Sequence, residues 1–475
     1  MPVQNPSQRT WTLVLASIGV LMTALDTLVV ATSLPVLRVD LHASLQSLEW
    51  TVNAYNLSFA CFLLTGAALG DRFGRRRMYV VGLGLFTAAS AAAALSPSAG
   101  ALIAARAFQG AGAAIVMPLT LTLISEAFPA AKRGTAIGIW GGITGLGVAL
   151  GPVVGGAVVS GISWHWIFWI NVPIGLALMP LAARRLLESY GPRPRLDLPG
   201  LALAGTAALA VTWGLVRSGS VGWGSAEVLA SIAAGLALAA GFVAWERHAR
   251  EPMLPLGLFR NSTFAFSNAV SFFLYAGLFG ALFLMAQFFQ SCLGYSPLES
   301  GVRLLAWSMP PMFIAPIAGS LADRYGNRPF MVLGLALQAA GLAWVALIAS
   351  PTVSYPEVGL ALLIAGTGTS FCFPTVANAI MGSVPQSEAG VAAGTNSTLR
   401  ELGGVFGVSV LASVFAGPNV FSSPQAFVTG FTDALWVAVG FSVLGVRAAL
   451  LTAARSGAGS EAEAPALAVP EPGRT

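Results

Sequence analysis

Four ionisable residues sit where the sequence is otherwise apolar: Asp26, Arg106, Arg400 and Glu401. A charge held at the centre of a bilayer costs at least ~2.5 kcal/mol, so each is a candidate for chemistry rather than for solubility. A carboxyl and a guanidinium in one apolar layer can handle protons. Burial favours the neutral acid, a nearby cation favours the carboxylate, and relative movement of the two switches protonation. On this reading Asp26 takes up and releases a proton while Arg106 adjusts its affinity, with a permanent structural ion pair as the alternative. Glu401 is a second candidate acid. It adjoins Arg400, but neighbours on a helix point about 100° apart, so the two need not be partners.

The elements that carry these residues are read from composition. The chain has 475 residues, 56% of them hydrophobic and only 9% charged. A water-soluble globule is charged at roughly a quarter of its positions, so the solvent here is lipid. Continuous apolar runs of about 20 residues predict helices long enough to cross a ~30 Å hydrocarbon core and exclude a β-barrel. Fourteen spans are predicted between residues 12 and 452, among them 12–34, 50–69, 101–124, 134–157, 263–289, 301–321 and 389–416. At a 1.5 Å rise, Asp26 lies about 21 Å into the first span and Arg106 about 8 Å from the opposite end of the fourth, nearly one depth.

Basic residues test the count. One side receives Arg9, Arg72, Arg75 to Arg77, Lys132, Arg133, Arg184, Arg185, Arg193, Arg195, Arg247, Arg250, Arg260, Arg324, Arg328, Arg447, Arg455 and Arg474, against Arg38, Arg217 and Arg303 on the other. An even number of spans with both termini cytoplasmic follows, in a multi-pass protein of a bacterial plasma membrane. The first span is read as retained, not cleaved as a signal peptide. No inter-span loop holds a soluble domain, and residues 454–475, rich in Ala, Glu, Pro and Gly, read as a disordered tail.

Much chemistry is excluded. The single lysine, Lys132, stands in Ala-Lys-Arg, so there is no ATP-binding P-loop. Cys61 and Cys372 lie within spans and Cys292 at a helix end, which supports neither disulfides nor a metal site. His42, His165 and His248 fall in or beside loops. No cofactor, no metal and no enzymatic activity are expected. The formal charge of +5 suits anionic headgroups and calls for no nucleic acid. The expected partners are protons, a small-molecule substrate and lipid, with the protein a monomer.

One motif occurs twice. Gly70-Asp71-Arg72-Phe73-Gly74-Arg75-Arg76-Arg77 follows the second span, and Gly319-Ser320-Leu321-Ala322-Asp323-Arg324-Tyr325-Gly326-Asn327-Arg328 follows the tenth. If the seventh and eighth spans are an insertion, each copy closes the second helix of a six-helix half. The expected units are then 1–190, an inserted helix pair over 191–252, a second half over 253–453, and the tail. The doubled motif resembles the Gly-x-Leu-Ala-Asp-Arg-x-Gly-Arg signature of the major facilitator superfamily, with Gly70 in place of the usual Ala in the first copy. Leu25-Asp26-Thr27 running to Leu34-Pro35, and Trp164-His165-Trp166-Ile167-Phe168-Trp169-Ile170-Asn171-Val172-Pro173, are similar to signatures of its fourteen-span drug:proton antiporters, although Arg is common at the position of His165. Arg106-Ala107-Phe108-Gln109-Gly110 with Met117-Pro118, and Gly147-x-x-x-Gly151-Pro152-x-x-Gly155-Gly156, resemble that family's fourth- and fifth-helix motifs.

The resemblance implies a proton-coupled exporter of hydrophobic or amphipathic drugs working by alternating access, with Asp26 and Arg106 as coupling elements. A nutrient or siderophore importer or uniporter on the same fold is the alternative. Asp71, Arg72, Gly74 and Arg75, with Asp323, Arg324 and Gly326, are expected to form a cytoplasmic gate. Gly147, Gly151, Pro152, Gly155 and Gly156 are expected to form a conformational hinge. Asn53, Tyr55, Asn56, Phe273, Tyr275 and Gln287 are candidates for the substrate chamber.

Overall fold

The computed structural model describes residues 6–190, 197–249, 252, 254, 256–385, 388–416 and 420–453. The expected tail, the basic residues Arg193, Arg195, Arg250, Arg455 and Arg474, and the side chains of Thr27, Lys132, Arg133 and Asp323 lie outside the described residues.

Every regular element described is helical. The first half comprises α1 (Pro6–Asp40), α2 (Leu45–Phe73), α3 (Arg75–Ala94), α4 (Ala99–Ala127), α5 (Ala130–Gly161), α6 (Trp166–Trp169) and α7 (Asn171–Arg185). Two helices follow, α8 (Leu198–Val221) and α9 (Ala226–Glu246). The second half comprises α10 (Ser262–Gln287), α11 (Pro297–Ser308), α12 (Pro310–Tyr325), α13 (Asn327–Ile348), α14 (Tyr355–Met381), α15 (Ala389–Phe415) and α16 (Pro424–Leu450). Among the described residues eleven helical stretches are long and apolar enough to cross a membrane, α6 with α7 and α11 with α12 each counting as one. The bent α1 and α2 raise that to thirteen, and the 32-residue α5 completes fourteen.

Local chemistry sets the ends. Ser44, Ser98, Ser225, Ser296 and Ser423 each accept a backbone N–H at the N-terminus of a helix, which satisfies a donor the helix leaves open. Gly74 at φ 105° and Gly326 at φ 84° end α2 and α12, a left-handed turn that a Cβ would strain. Pro310 and Pro311 carry no backbone N–H, and the span of α11 and α12 is interrupted there.

Glycines let the helices meet closely, the main route to affinity between helices where lipid is as apolar as leucine. A Cβ on Gly110 of α4 would lie 2.3 Å from the Tyr55 carbonyl oxygen of α2, and one on Gly366 of α14 would lie 2.4 Å from the Trp307 carbonyl oxygen of α11. Tyr55 and Trp307 stand at the same distance before Asp71 and Asp323 in the two motif copies. The two halves thus repeat one packing scheme, while α8 and α9 pack on each other and α8 leans on α2 and α15.

The halves touch at the end away from the Arg72–Arg77 loop, here called the far end. Three hydrogen bonds join them there: Asn53 Nδ2 to Ser409 Oγ at 2.9 Å, Gln290 Nε2 to the Thr32 carbonyl at 2.8 Å, and the Leu298 N–H to Ser160 Oγ at 3.1 Å. The Arg38 guanidinium lies 3.2 Å over the Phe421 ring. Toward the basic end α5 stays packed on α4 and α1, Trp140 Nε1 donating to Thr120 Oγ1 at 3.0 Å, while its Gly141 and Gly142 face a space in which a Cβ would meet nothing within 4 Å. The hydrogen bonds described between the halves thus gather at the far end.

Candidate functional site: a buried ion pair beside a central cavity

Asp26 and Arg106 meet, as their shared depth allows. Arg106 Nη1 donates to Asp26 Oδ2, and each residue is 1% exposed. Gln109 Nε2 (2.8 Å) and Asn171 Nδ2 (3.1 Å) donate to Asp26 Oδ1, and both amides also reach Ser90 Oγ, at 3.2 and 3.1 Å. Ser90 Oγ in turn donates to the Phe168 carbonyl at 2.9 Å. Arg106 also donates from Nη1 to Gln109 Oε1 at 2.8 Å and from Nε to the Thr51 carbonyl at 3.2 Å. The carboxylate is therefore held by three side-chain groups, two on α4 and one on α7, with Ser90 of α3 behind the two amides, so its polar demand is met without water.

Sequence reading passed over Gln109, Asn171 and Ser90. Gln109 follows Arg106 by three residues and so shares its helix face, a spacing that could have identified it. Asn171 lies in the Trp164–Pro173 motif, which marks it but does not say what it faces, and Ser90 of α3 carries no local signal.

The pair does not face the main chamber. A cavity of about 1000 Å³ lies between the halves, bounded by α1, α2, α4, α5, α10, α11, α12, α14 and α15. Tyr55, Tyr275, Arg400 and Glu401 line it; Asp26 instead borders a separate cavity of about 50 Å³ walled by apolar side chains of α1, α5, α6 and α7. Tyr55 touches both regions. Its ring lies 4.2 Å beneath the Arg106 guanidinium, and its hydroxyl donates to the Thr23 carbonyl at 3.4 Å.

Arg400 and Glu401 are partners after all. Arg400 Nη2 and Nε approach Glu401 Oε1 at 3.0 and 3.2 Å, because the long arginine stem folds across the arc that separates adjacent helix positions. The Arg400 guanidinium also stands 5.1 Å from the Tyr275 ring. Nearby, Asn396 Nδ2 donates to Asn268 Oδ1 at 3.1 Å and Ser271 Oγ at 2.7 Å, a polar patch joining α15 to α10.

Four chamber candidates lie elsewhere. Asn53 is spent on the far-end bond to Ser409. Asn56 is buried away from the cavity, Phe273 stacks against Phe441 at 6.5 Å, and Gln287 Nε2 donates back to the Phe283 carbonyl at 3.3 Å. Each sits on the packed face of its helix, a distinction invisible in a helix that is apolar all round. Trp307, which the sequence reading did not single out, supplies a cavity wall instead.

The expected gate residues form an anchored corner of the first half. Arg75 pairs with Asp71 at 2.6 Å and with Glu126 at the end of α4. Glu188 accepts the Arg76 backbone N–H at 2.9 Å and lies 3.5 Å from the Arg76 side chain and 3.7 Å from that of Arg77. Glu126 and Glu188 are partners that the motif alone did not reveal. Arg72 and Arg324 are exposed. A Cβ on Gly74 would fall 2.7 Å from the Glu188 carboxylate as well as straining the turn. Gly74→Ala is expected to cost about 1–3 kcal/mol and to lower the thermal midpoint of the purified protein, measured by intrinsic fluorescence.

Of the expected hinge, Gly147 lies against Leu21 and Ala24 of α1, and Gly155 against Val29 and Thr32. A Cβ on Gly156 would fall 2.3 Å from the Pro297 carbonyl of the second half, and one on Gly301 2.1 Å from the Pro152 carbonyl. Gly151 and Pro152 are buried between these contacts. Gly147 and Gly155 thus serve packing on α1 within the first half, and Gly156 with Pro152 the far-end contact of the two halves.

Comparison with known proteins agrees with this architecture. The D-xylose-proton symporter superposes with a TM-score of 0.66 at 16% identity, covering 93% of this chain and 97% of that one. A peptide transporter POT in complex with sulfate gives 0.69 at 15%, covering 95% and 98%. In sequence the chain is similar to the cephamycin export protein CmcT of Amycolatopsis lactamdurans, 34% identical over 94% of this chain and 92% of that protein. It is 34% identical to the tetracenomycin C resistance and export protein of Streptomyces glaucescens, over 87% and 78%. It is 35% identical to the multidrug efflux pump LfrA of Mycolicibacterium smegmatis, over 87% and 82%. The profile described as Major Facilitator Superfamily matches residues 16–408. With its two repeated halves, the cavity between them and these relatives, the chain belongs to the Major Facilitator Superfamily, as a multi-pass membrane transporter rather than an enzyme.

Proposed function

We propose that this transporter is a drug:proton antiporter, which expels a hydrophobic or amphipathic compound as a proton moves inward through the Asp26 region. The observation that carries this reading is the burial of the Asp26–Arg106 pair beside, but not within, a large apolar-walled cavity. A volume of about 1000 Å³ suits a drug-sized ligand. Tyr55, in contact with both cavity and guanidinium, offers a path by which an occupant in the chamber alters the pair. Arg400, Glu401 and Tyr275 supply the cavity's polar side, and Glu401 is the acid a substrate can reach. In this reading the basic end is cytoplasmic, the state described is inward-open, and residues 1–190 and 253–453 rock about the far-end seam with 191–252 as an inserted pair. The Asp71–Arg75 corner, and Asp323 in the second half, latch the cytoplasmic side when it closes.

The energetics suffice. One proton contributes about 2.3 kcal/mol per 100 mV and ~1.4 kcal/mol per pH unit, enough for roughly a hundredfold substrate gradient. The export functions of the relatives named above favour this over import. The test uses purified protein in sealed vesicles with rhodamine 6G as the probe. An acid lumen should drive dye into the lumen through molecules whose basic end faces outward, and dye movement should alkalinise the lumen. Dye equilibration that ignores the pH gradient would support a uniporter, and dye moving in the same direction as the proton would support an importer.

A further inference from the structure

The far-end seam buries an acid that the proton pair does not use. Glu49 lies one turn into α2, 2% exposed, and its Oε2 has no hydrogen-bond partner. Four residues on, Asn53 crosses to Ser409 of the second half but leaves its own Oδ1 unpartnered, and Asn56 leaves its Nδ2 unpartnered. Residues 49, 53 and 56 share one face of α2, since positions four and seven apart lie above one another on a helix. Buried polar atoms are almost always paired. Three orphans in a row, flanking a bond that joins the halves, mark a surface that is dry in this state and finds its partners in water when the halves part.

No cation compensates Glu49. Of the charged groups on helices packed against α2, Asp26 of α1 and Arg106 of α4 are bound to each other. Arg38 of α1 covers Phe421, and Asp40 accepts the Trp164 indole N–H. Arg9 of α1, Glu126 of α4 and Arg75 to Arg77 of α3 belong to the basic end. Arg217 of α8 pairs with Glu227, and Arg400 of α15 with Glu401. Among the described residues Glu49 forms no ion pair, and a buried carboxylate without a cation or donors is unfavourable.

We propose that Glu49 is a second proton-binding site, which takes up a proton from the outer side when the halves are parted there and must be neutral for the outer seam to close. The balance is one proton added to one carboxylate on closing and returned to the same side on opening. Glu49 therefore sets the conformation without adding to the protons carried across, and outer acidity favours the inward-open state. The inference rests on the alternating-access reading above, not on the role given to Asp26.

The experiment places spin labels at Gln46→Cys and Gln425→Cys, at the outer ends of α2 and α16, in a protein whose Cys61, Cys292 and Cys372 are replaced by Ala. Distances are read in lipid nanodiscs between about pH 5 and about pH 9, a range that spans an ordinary carboxyl and one shifted several units by burial. Expected is a short outer distance in acid giving way to a longer one in alkali, with Glu49→Gln holding the short distance throughout. A Glu49→Gln protein that follows the unsubstituted titration, or a wild-type seam that responds to drug but never to pH, overturns the role of Glu49. A single outer distance at every pH and with every compound overturns alternating access itself. Dicyclohexylcarbodiimide, which modifies protonated buried carboxyls, gives a check on the wild-type chain that no substitution can spoil. The peptide carrying Glu49 should be modified in acid and spared in alkali, and its recovery unmodified in acid overturns the proposal.

Discussion

Replacing Asp26 by Asn is expected to abolish drug-induced proton release from the purified protein and to destabilise it by about 3–5 kcal/mol, the cost of stranding one partner of a buried ion pair. Arg106 is the group left uncompensated, at 1% exposure, with only neutral acceptors beside it: Gln109 Oε1, the Thr51 carbonyl and the amide oxygen of the new side chain. Removing both charges separates the two roles. Asp26→Asn with Arg106→Gln leaves two neutral amides within hydrogen-bonding reach, and replacing a whole buried pair is often nearly neutral. The double variant should therefore recover most of the lost stability, read as the thermal midpoint, and still release no proton. Recovery of both stability and proton release would make the pair purely structural and turn attention to Glu401. Undiminished release in the single variant would remove Asp26 from the proton path directly.

Gly301→Val should stop transport while leaving the protein folded. The hydrogen of Gly301 occupies the place where a Cβ would sit 2.1 Å from the Pro152 carbonyl oxygen, and Gly156 meets Pro297 with a similar 2.3 Å. Real Cβ contacts are never so short, so α5 and α11 must separate and the far-end seam cannot close as it does here. A state in which the halves part at that seam is not opposed by the added side chain. The equilibrium therefore shifts away from the inward-open form. A shift of only ~1.4 kcal/mol lowers the population of a minor state tenfold, and the clash is larger than that. Dye transport in vesicles should fall at least about tenfold, with thermal stability little changed. Gly161→Ala is the control, because a Cβ there meets nothing within 4 Å. Transport preserved in Gly301→Val would mean that the α5–α11 contact is not part of the cycle.

The two experiments probe the two uses this chain makes of small and charged residues within lipid. Charge is admitted where one tight group of donors satisfies it, and glycine is placed where two backbones must meet and later part.

What the sequence by itself determined is what depends on composition and on rise per residue. Lipid as solvent, helices as the spanning element, the repeat of the Asp71 and Asp323 motifs, and the shared depth of Asp26 and Arg106 need nothing more than counting, because a helix converts residue number into height. Height is not direction. The spans are apolar on nearly every face, since lipid and protein interior are alike to a leucine, so the pattern that marks the inner face of a soluble helix is absent. Only the tertiary structure therefore decided that Tyr55 and Tyr275 line the cavity while Asn53, Asn56, Phe273 and Gln287 pack away from it. It alone brought Ser90 and Asn171 to Asp26, from helices whose order in the chain says nothing of their neighbours in the bundle. It alone showed Arg400 folded back on Glu401, and Glu49 closed into the seam between the halves with no partner.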